Sequence, residues 1–336
     1  MILNLRNKKI IIILSAVIIT SIVIYWLFTK DFTTGNKPNY GVTFSKKYAV
    51  DLGLDWKDTY LAIINDLKVD NIRLIAYWDE SEVVQDLFYF DDLDWQLDQL
   101  KDKNINVILV VGRRAPRWPE CHDPLWIDDL SLESVQNHQL KFVQKVIERY
   151  RDNQTIKAWQ VENEPLFGWF GECPKPDKNF LIKEIEFVRS LDSGPIIITD
   201  SGELSHWQSA ASVADILGIT MYRIVWNKTF GFWDYFFVPA SAYRFKANLT
   251  KFLNKNLQDI IITELQMEPW TMDRRMTELT MEEQQRSFTL RRFKKNVKYA
   301  RKAGFDQIYL WGVEYWYWLD QKGYPEIWQQ AKLLWK

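Results

Sequence analysis

Eight short apolar runs, separated by segments with helical spacing, constrain the fold of this 336-residue chain more than any other feature. Most of the runs are rich in Ile and Val, which is typical of strands buried on both faces. The predicted strands are Tyr40–Phe44, Asn71–Ala76, Asn106–Val111, Ile156–Val161, Pro195–Thr199, Ile216–Met221, Asp259–Thr263 and Gln307–Trp311. Alternating strands and helices predict a parallel sheet. Eight such units match a closed (β/α)8 TIM barrel, for which about 250 residues are typical.

The segments between the runs carry apolar residues at the i, i+3, i+4 spacing of amphipathic helices. The clearest are Leu132–Arg149, Phe180–Leu191 and Met281–Ala303, and Gly304 is predicted to end the last of them. An open, doubly wound α/β sheet is the alternative, and it usually has a glycine-rich dinucleotide turn after its first strand. The first predicted turn, residues 41–45, reads Gly-Val-Thr-Phe-Ser and lacks those glycines. The barrel is therefore favoured.

An uncharged apolar stretch covers residues 10–28, before the first predicted strand. It is just long enough to cross a hydrocarbon core about 30 Å thick as a helix. Arg6, Lys8 and Lys9 precede it, so the positive-inside rule predicts a cytoplasmic N-terminus. A cleaved signal peptide is the alternative, but residues 26–31 offer no small-residue cleavage pattern. We therefore expect a cytoplasmic tail (1–9), a single-pass transmembrane anchor (10–28), a linker (29–39) and a barrel domain (40–336) on the outer side of the cell membrane.

Charge and composition narrow the choice of partner. The formal net charge of −1 argues against nucleic acid, which favours proteins with a basic surplus. Aromatic residues make up 15% of the chain, including 17 tryptophans, which is more than a core requires. The excess fits flat rings that pack on sugar faces, and an aromatic-rich core is the simpler alternative.

The two cysteines, Cys121 and Cys173, follow the third and fourth predicted strands and should lie on the same barrel face. An outward location permits a disulfide between them, and two free thiols are the alternative. The three histidines, His122, His138 and His206, lack the spacing of zinc ligands. Neither a metal nor another cofactor is predicted.

Two glutamates end predicted strands that should lie across the barrel from each other. Glu164 follows the fourth strand and Glu264 follows the seventh. In a closed barrel both side chains project into one mouth, where they can approach to about 5–5.5 Å. Pro165 is expected to hold Glu164 in an extended conformation. Facing carboxylates are what retaining glycoside cleavage uses, one as acid/base and the other as nucleophile. The simpler alternative is that Glu264 only caps its strand.

This pattern resembles clan A of the glycoside hydrolases, a superfamily of retaining (β/α)8 enzymes with Asn-Glu after strand 4 and a second Glu after strand 7. Asn163-Glu164 and Glu264 match those positions. The resemblance implies that Glu164 is the acid/base, that Glu264 is the nucleophile, and that Asn163 binds the substrate 2-hydroxyl.

The same resemblance implies roles for Arg73 beside the nucleophile, for Tyr222 as its hydrogen-bond donor, and for Trp311 as the floor of the −1 sugar site. Cellulase-like members often carry His-x-Tyr on strand 6, where this chain has Thr-Met-Tyr at 220–222. Residues 116–118, Pro-Arg-Trp, look more like the Pro-x-Trp loop of the family 42 β-galactosidases.

Other residues near strand ends are weaker candidates. The tryptophans expected to act as sugar platforms are Trp78, Trp118, Trp169, Trp270 and Trp316. Three further acids, Glu162, Glu268 and Glu314, lie near the ends of strands 4, 7 and 8. Glu162 is expected to raise the pKa of Glu164 by like-charge proximity or, more simply, to make a structural hydrogen bond.

The segment after the sixth strand, residues 226–238, is unusually apolar for a surface loop. Three interpretations are open: a wall of the sugar cleft, a membrane contact beside the anchor, and a packed lid over a barrel helix.

Together these patterns predict a membrane-anchored retaining glycosidase that cleaves O-glycosidic bonds in an oligo- or polysaccharide. A transglycosidase that remodels surface polysaccharide is one alternative, and it would use the same two glutamates. A non-catalytic carbohydrate-binding barrel is the other.

Overall fold

The computed structural model describes residues 5–336, which form a closed eight-stranded parallel barrel preceded by an apolar helix. The strands are β1 (Asn39–Thr43), β2 (Asn71–Ile75), β3 (Asn106–Val111), β4 (Ile156–Val161), β5 (Ile196–Asp200), β6 (Ile216–Met221), β7 (Ile224–Asn227), β8 (Gly231–Asp234), β9 (Asp259–Gln266) and β10 (Gln307–Trp311). The barrel uses β1–β6, β9 and β10 in chain order, whereas β7 and β8 form a separate antiparallel hairpin. The predicted TIM barrel is confirmed, and the largest difference is that β9 continues past Thr263.

The register of the closing strands brings three side chains to one level of the barrel. Thr43 on β1 is paired with Arg73 on β2 and with Trp311 on β10. On the other side of the ring, Thr220 on β6 is paired with Glu264 on β9. Because all eight strands are parallel, their carboxyl ends meet at one face, where enzymes of this fold place their active sites. This face carries the candidate residues and is called the catalytic end for that reason.

The helices described are α1 (Leu5–Thr29), α2 (Lys46–Asp51), α3 (Trp56–Ala62), α4 (Trp78–Ser81), α5 (Asp91–Asp98), α6 (Leu132–Tyr150), α7 (Lys178–Leu191), α8 (Gln208–Ala211), α9 (Ala240–Leu253), α10 (Met281–Ser287), α11 (Leu290–Ala303), α12 (Val313–Gln321) and α13 (Glu326–Ala331). The last turn of α3 continues as a π-helix at Ile63–Leu67. Short 3₁₀ turns cover Leu125–Ile127, Met276–Glu278 and Lys332–Leu334.

The prediction of a single helix over residues 281–303 is wrong, because the structure divides this segment into α10 and α11. Phe288 is extended and buried between the two helices, and Thr289 caps the start of α11 by accepting a hydrogen bond from the Arg292 amide at 3.2 Å. The end of α11 is as predicted: Gly304 follows it with φ of 72°, a left-handed conformation that favours glycine.

The barrel interior is apolar at the end where the strands begin and polar toward the catalytic end. Ile108, Ile197, Ile261 and Tyr309 form the apolar cluster with Ala158. Space in the middle of the barrel is tight: a Cβ on Gly218 would lie 2.6 Å from Thr263 Cγ2 and 2.7 Å from Thr199 Cγ2. Only glycine fits there without moving its neighbours.

The N-terminal helix α1 contains the apolar stretch expected from the sequence. Residues 11–29 have a mean hydropathy of 2.6, and the helix is long and apolar enough to cross a membrane. A signal sequence has the same length and composition. The predicted tail at 1–9 lies partly outside the described residues.

Packing inside the barrel can be tested at Ile261. We expect Ile261→Ala to lower the free energy of unfolding by about 2–5 kcal/mol, because the truncation leaves a cavity in a closed apolar cluster. Denaturant unfolding of the detergent-solubilised chain, followed by tryptophan fluorescence, measures the change. Leu132→Ala, at an exposed position, is the control and should change stability by less than about 0.5 kcal/mol. Equal losses in the two variants would contradict the described interior.

Candidate active site

The structure brings Glu164 and Glu264 together among buried side chains at the catalytic end of the barrel, and this group of residues is called the pocket below. Glu264 lies on β9 and Glu164 lies three residues after the end of β4, and both are buried. The two carboxyl groups are near enough that the charge of Glu264 helps to raise the pKa of Glu164. The two acids that the sequence pairs are therefore neighbours in the structure.

Arg73 holds Glu264 from inside the barrel. Its guanidinium is fully buried and donates to Glu264 Oε1 at 3.0 Å. The same group donates to Gln160 Oε1 at 2.8 Å and to Asn163 Oδ1 at 2.7 Å. A charge-assisted contact of this kind fixes a carboxylate in place. One cation thus orients both Glu264 and the amide beside Glu164.

Tyr222 holds the second oxygen of Glu264. Its hydroxyl donates to Glu264 Oε2 at 3.1 Å. The tyrosine is itself held by Glu203, which accepts from the Tyr222 amide at 2.7 Å and also from the Tyr243 hydroxyl. Both oxygens of Glu264 therefore have a donor, and Glu203 is a supporting residue that sequence reasoning missed.

Glu164 has a different environment. Neither oxygen of its carboxyl group accepts a hydrogen bond from a residue in the described range 5–336, although its amide donates to Thr199 Oγ1 at 2.7 Å. Burial raises the pKa of Glu164 well above its usual value, and the charges of Glu264 and Glu120 raise it further. This shift favours the protonated form, which is the form that a general acid uses.

The expected extended conformation of Glu164 is wrong. Its φ is 44°, and that of Glu162 is 63°, so both residues adopt the left-handed region. The chain turns here because the Glu164 amide bonds to Thr199 and its carbonyl accepts from the Phe167 amide at 2.9 Å. These contacts outweigh the preference that Pro165 imposes. Arg117 and Glu120 are also left-handed, with φ of 87° and 75°, and strained residues of this kind often cluster at functional sites.

Glu120 is an acid of the pocket that the sequence analysis did not identify. It is buried, and its Oε2 accepts from Asn163 Nδ2 at 3.0 Å. Burial raises the pKa of Glu120 to about 7, with Arg114 acting in the opposite direction and Glu264 adding to the rise. The one signal in the sequence is its place directly before Cys121, in a loop that a disulfide could draw to the mouth.

Glu162 makes the structural hydrogen bonds that were the simpler of its two predicted roles. It accepts from the amides of Arg113 and Arg114 at 2.7 and 2.6 Å, and from Gln139 Nε2 on α6 at 2.6 Å. Glu184 on α7 accepts from the same amide nitrogen of Gln139 at 2.8 Å. Glu162 therefore ties β3 and β4 to α6, behind the pocket.

The sulfur atoms of Cys121 and Cys173 form a disulfide, with their Cα atoms 5.3 Å apart. The bond joins the loop after β3 to the loop after β4. It therefore lies next to Glu120 in the sequence, and it limits how far the loop that carries Glu120 can move away from Asn163.

Trp311 lies at the end of β10, where the resemblance implies a sugar floor, but a cation covers it. The Arg117 guanidinium carbon is 4.0 Å from the centre of the Trp311 ring and 3.7 Å from that of Tyr48. Arg117 pairs with Glu268 and, at 3.0 Å, with Glu314 Oε2. Burial opposes the charge on Arg117, but the two carboxylates outweigh it and raise the pKa of the arginine. Glu268 and Glu314 thus hold Arg117 against the ring.

The prediction of a sugar platform is wrong for two of the five tryptophans, because their side chains are fully buried. Trp78 stacks on Phe142 and donates to Glu82, and Trp316 donates to the Met267 carbonyl. Trp118 and Trp169 are exposed, and Trp270 is half-buried with its ring 5.7 Å from that of Tyr222. Phe170 lies between Trp118 and Trp270, at 5.7 and 6.0 Å.

The three histidines lie apart from the glutamate pair. His122 is buried against Tyr77, His138 is on α6, and His206 is exposed. Among the described residues, Glu82, Asp86 and His138 can bring ligand atoms within 4.8 Å of one another. The carboxylate of Glu82 already accepts from Trp78 and from the Asp86 amide.

No protein-family model matches the sequence, and no curated protein matches it. Solved structures share the barrel. The β-galactosidase of Bacillus circulans sp. alkalophilus aligns with a TM-score of 0.54 and 14% identity over 82% of this chain and 50% of its own. The β-galactosidase of the Antarctic haloarchaeon Halorubrum lacusprofundi aligns with a TM-score of 0.52 and 12% identity over 81% of this chain and 52% of its own.

Endo-glycoceramidase II from Rhodococcus sp. gives a TM-score of 0.55 and 13% identity over 84% of this chain and 75% of its own. At these identities the likeness establishes the fold. The chain spans about half the length of the β-galactosidases.

The disulfide can be tested by its effect on stability. We expect the double variant Cys121→Ser, Cys173→Ser to lose about 4 kcal/mol of unfolding free energy, because the bond closes a segment with a sequence separation of 52. Denaturant unfolding of the wild type with and without reductant provides the comparison. Reduced wild type should match the variant, and a reductant effect of the same size in the variant would contradict the assignment to this bond.

Proposed function

We propose that this protein is a membrane-anchored retaining glycoside hydrolase. The observation that carries the proposal is the different environment of two acids in one pocket: Glu264 is held by Arg73 and Tyr222, whereas burial and neighbouring charge favour the protonated form of Glu164. Pairs of acids divided in this way serve as nucleophile and general acid.

The reaction has two displacements. Glu264 attacks the anomeric carbon while Glu164 gives its proton to the leaving oxygen, so the C–O bond breaks and a glycosyl–Glu264 ester forms. Glu164 then takes a proton from water, the water oxygen attacks the anomeric carbon, and the ester bond breaks. Two inversions retain the configuration, and Glu264 returns to its ionised contact with Arg73.

A β-linked glycan is the substrate class best supported. The neighbours of similar fold include β-galactosidases and an endo-glycoceramidase. Trp118, Trp169 and Trp270, in loops that follow β3, β4 and β9, offer aromatic surface for sugar rings near the pocket. Asn163 lies between Arg73 and Glu120, where an amide can contact the sugar 2-hydroxyl.

The proposed location is the cell membrane, with the barrel on the extracytoplasmic side. Helix α1 supplies a span of sufficient length and hydropathy. Basic residues precede the apolar stretch 10–28 in the sequence. The disulfide between Cys121 and Cys173 suits an oxidising compartment.

Azide rescue tests the roles of the two acids. With aryl β-glycosides, Glu264→Ala should lose turnover, and azide should restore it by entering the vacated face, which gives a glycosyl azide of inverted configuration. Glu164→Ala should lose about 10²–10⁴-fold on natural glycosides but much less on activated aryl glycosides, and azide should then give the retained product. Initial rates and product NMR measure both effects.

Glu186→Ala, on the exposed surface of α7, is the matched control and should keep wild-type rates. Equal activity in all variants would reject catalysis by this pair. Wild-type protein that binds glycans but turns none over would instead support a binding barrel, and transfer to an added acceptor sugar would indicate a transglycosidase.

The pH profile tests the contribution of Glu120. Activity should fall as pH rises through the pKa of Glu164, because the acid must be protonated to act. Glu120 raises that pKa, and its own pKa of about 7 leaves it ionised in the alkaline range. Glu120→Gln removes the charge, so the pKa of Glu164 should fall and the alkaline limb of kcat/KM should move to lower pH. A limb that stays in place or moves upward would contradict this assignment.

A further inference from the structure

The anchor helix meets the barrel at a defined place on α9. The Ser241 hydroxyl donates to the Leu27 carbonyl, and the ring of Trp26 lies 5.4 Å from that of Phe245. Both barrel residues lie in the first two turns of α9, which follows β6 and its loop. In a (β/α)8 barrel these turns lie toward the catalytic end. The anchor therefore joins the barrel wall near the mouth.

The chain then runs along the wall to the opposite end. The Phe32 amide donates to the Lys302 carbonyl at 3.0 Å, near the end of α11. The Asn39 amide donates to the Asp306 carbonyl at 2.8 Å, where β1 and β10 begin. The part of α1 from Ile11 to Tyr25 stands clear of the barrel, because its apolar side chains are exposed. A bilayer around α1 would thus end close to the catalytic end.

An aromatic segment, residues 230–237, lies next to this junction. The exposed fractions are 73% for Phe230, 48% for Trp233, 73% for Phe236 and 46% for Phe237. Phe237 touches Trp233 and Phe236, with ring centres 6.2 and 5.7 Å apart. It is only four residues before Ser241, the residue that holds the anchor. Trp233, Phe236 and Phe237 thus form one exposed aromatic cluster just before α9, and Phe230 is exposed on the turn of the hairpin. Exposed apolar clusters of this kind mark interaction sites.

Basic residues near the junction of α1 and α9 also suit a membrane surface as the partner. Helix α11 packs beside α9 through Tyr243 and Tyr299, whose ring centres are 6.2 Å apart. Its first two turns, which lie toward the catalytic end, carry four basic residues and no acidic one: Arg291, Arg292, Lys294 and Lys295. Basic side chains close to a membrane surface are attracted to anionic headgroups.

We propose that the aromatic segment 230–237 inserts into the headgroup region of the bilayer that α1 spans, and that this second attachment holds the barrel mouth toward the membrane. The inference rests on the anchoring in the proposed function, but not on the chemistry of the glutamates. Aromatic rings are the side chains best suited to the membrane–water interface. Its consequence is that the glycan substrate is reached at the membrane surface.

Site-directed spin labelling tests this on the full chain. Both native cysteines are in the disulfide, so single labels can be placed at Phe230→Cys, Phe236→Cys and, within the anchor, Ile19→Cys. The chain is reconstituted in nanodiscs of phosphatidylcholine and phosphatidylglycerol. Accessibility to oxygen and to a water-soluble nickel chelate then gives the depth of each label.

We expect labels at 230 and 236 to be accessible to oxygen and shielded from nickel, at a shallower depth than the label at 19. Leu333→Cys is the matched control: Leu333 is 54% exposed and lies two residues before Trp335, which donates to the Tyr40 carbonyl at the start of β1, so it should give an aqueous signal. Phe252→Cys, near the far end of α9, should also be aqueous.

Aqueous signals at 230 and 236 with a lipid signal at 19 would overturn the inference and leave the anchor intact. An aqueous signal at 19 would reject the anchoring itself. Labels at 230 and 236 shielded from both reagents would indicate a protein contact in place of lipid. A lipid signal at 252 alone would mean that the opposite end of the barrel contacts the bilayer. Each of these last two results would overturn the inference.

Discussion

The buried guanidinium of Arg73 is the constraint on which the catalytic end of this barrel depends. It lies inside the barrel and contacts Gln160, Asn163 and Glu264, and so joins β2 to β4 and β9. A buried charge is costly unless it is paired, and removing one partner of such a pair typically costs about 3–5 kcal/mol. The stability of the mouth and the position of Glu264 therefore come from the same contact. A substitution at Arg73 would change both, which is why it cannot separate folding from chemistry.

Glu164 is positioned in a different way from Glu264. Its backbone is fixed by Thr199 and by a left-handed turn, but its carboxyl group accepts no hydrogen bond from the described residues. Burial and the nearby acids Glu120 and Glu264 then favour the neutral form. The fold thus gives two glutamates of the same chemistry different surroundings: one receives a paired cation, and the other is buried without a hydrogen-bond donor among residues 5–336.

The barrel and the pair can be predicted from sequence because both follow from local patterns. Each strand is a short apolar run, and strands 4 and 7 of a closed ring end at one mouth. The break between α10 and α11 could not be predicted in this way, since helical spacing continues through Phe288 and Thr289 and only tertiary burial of Phe288 decides it. Glu120 and Arg117 belong to a loop with left-handed residues, where side-chain direction depends on contacts with β4, β9 and α12. The hydrophobic periodicity of the sequence carries no information about those contacts.

The tryptophans show most clearly that residue type alone does not decide whether a side chain near a strand end is buried or exposed. Trp78 and Trp316 follow strand ends as Trp270 does, yet they turn into the core because Phe142 and the Met267 carbonyl offer partners there. Trp311 does lie at the mouth, but Arg117 covers one ring face and is itself held by Glu268 and Glu314. A sugar stacked on that face would have to displace a doubly paired cation. The side of the pocket formed by β10 is therefore polar and charged.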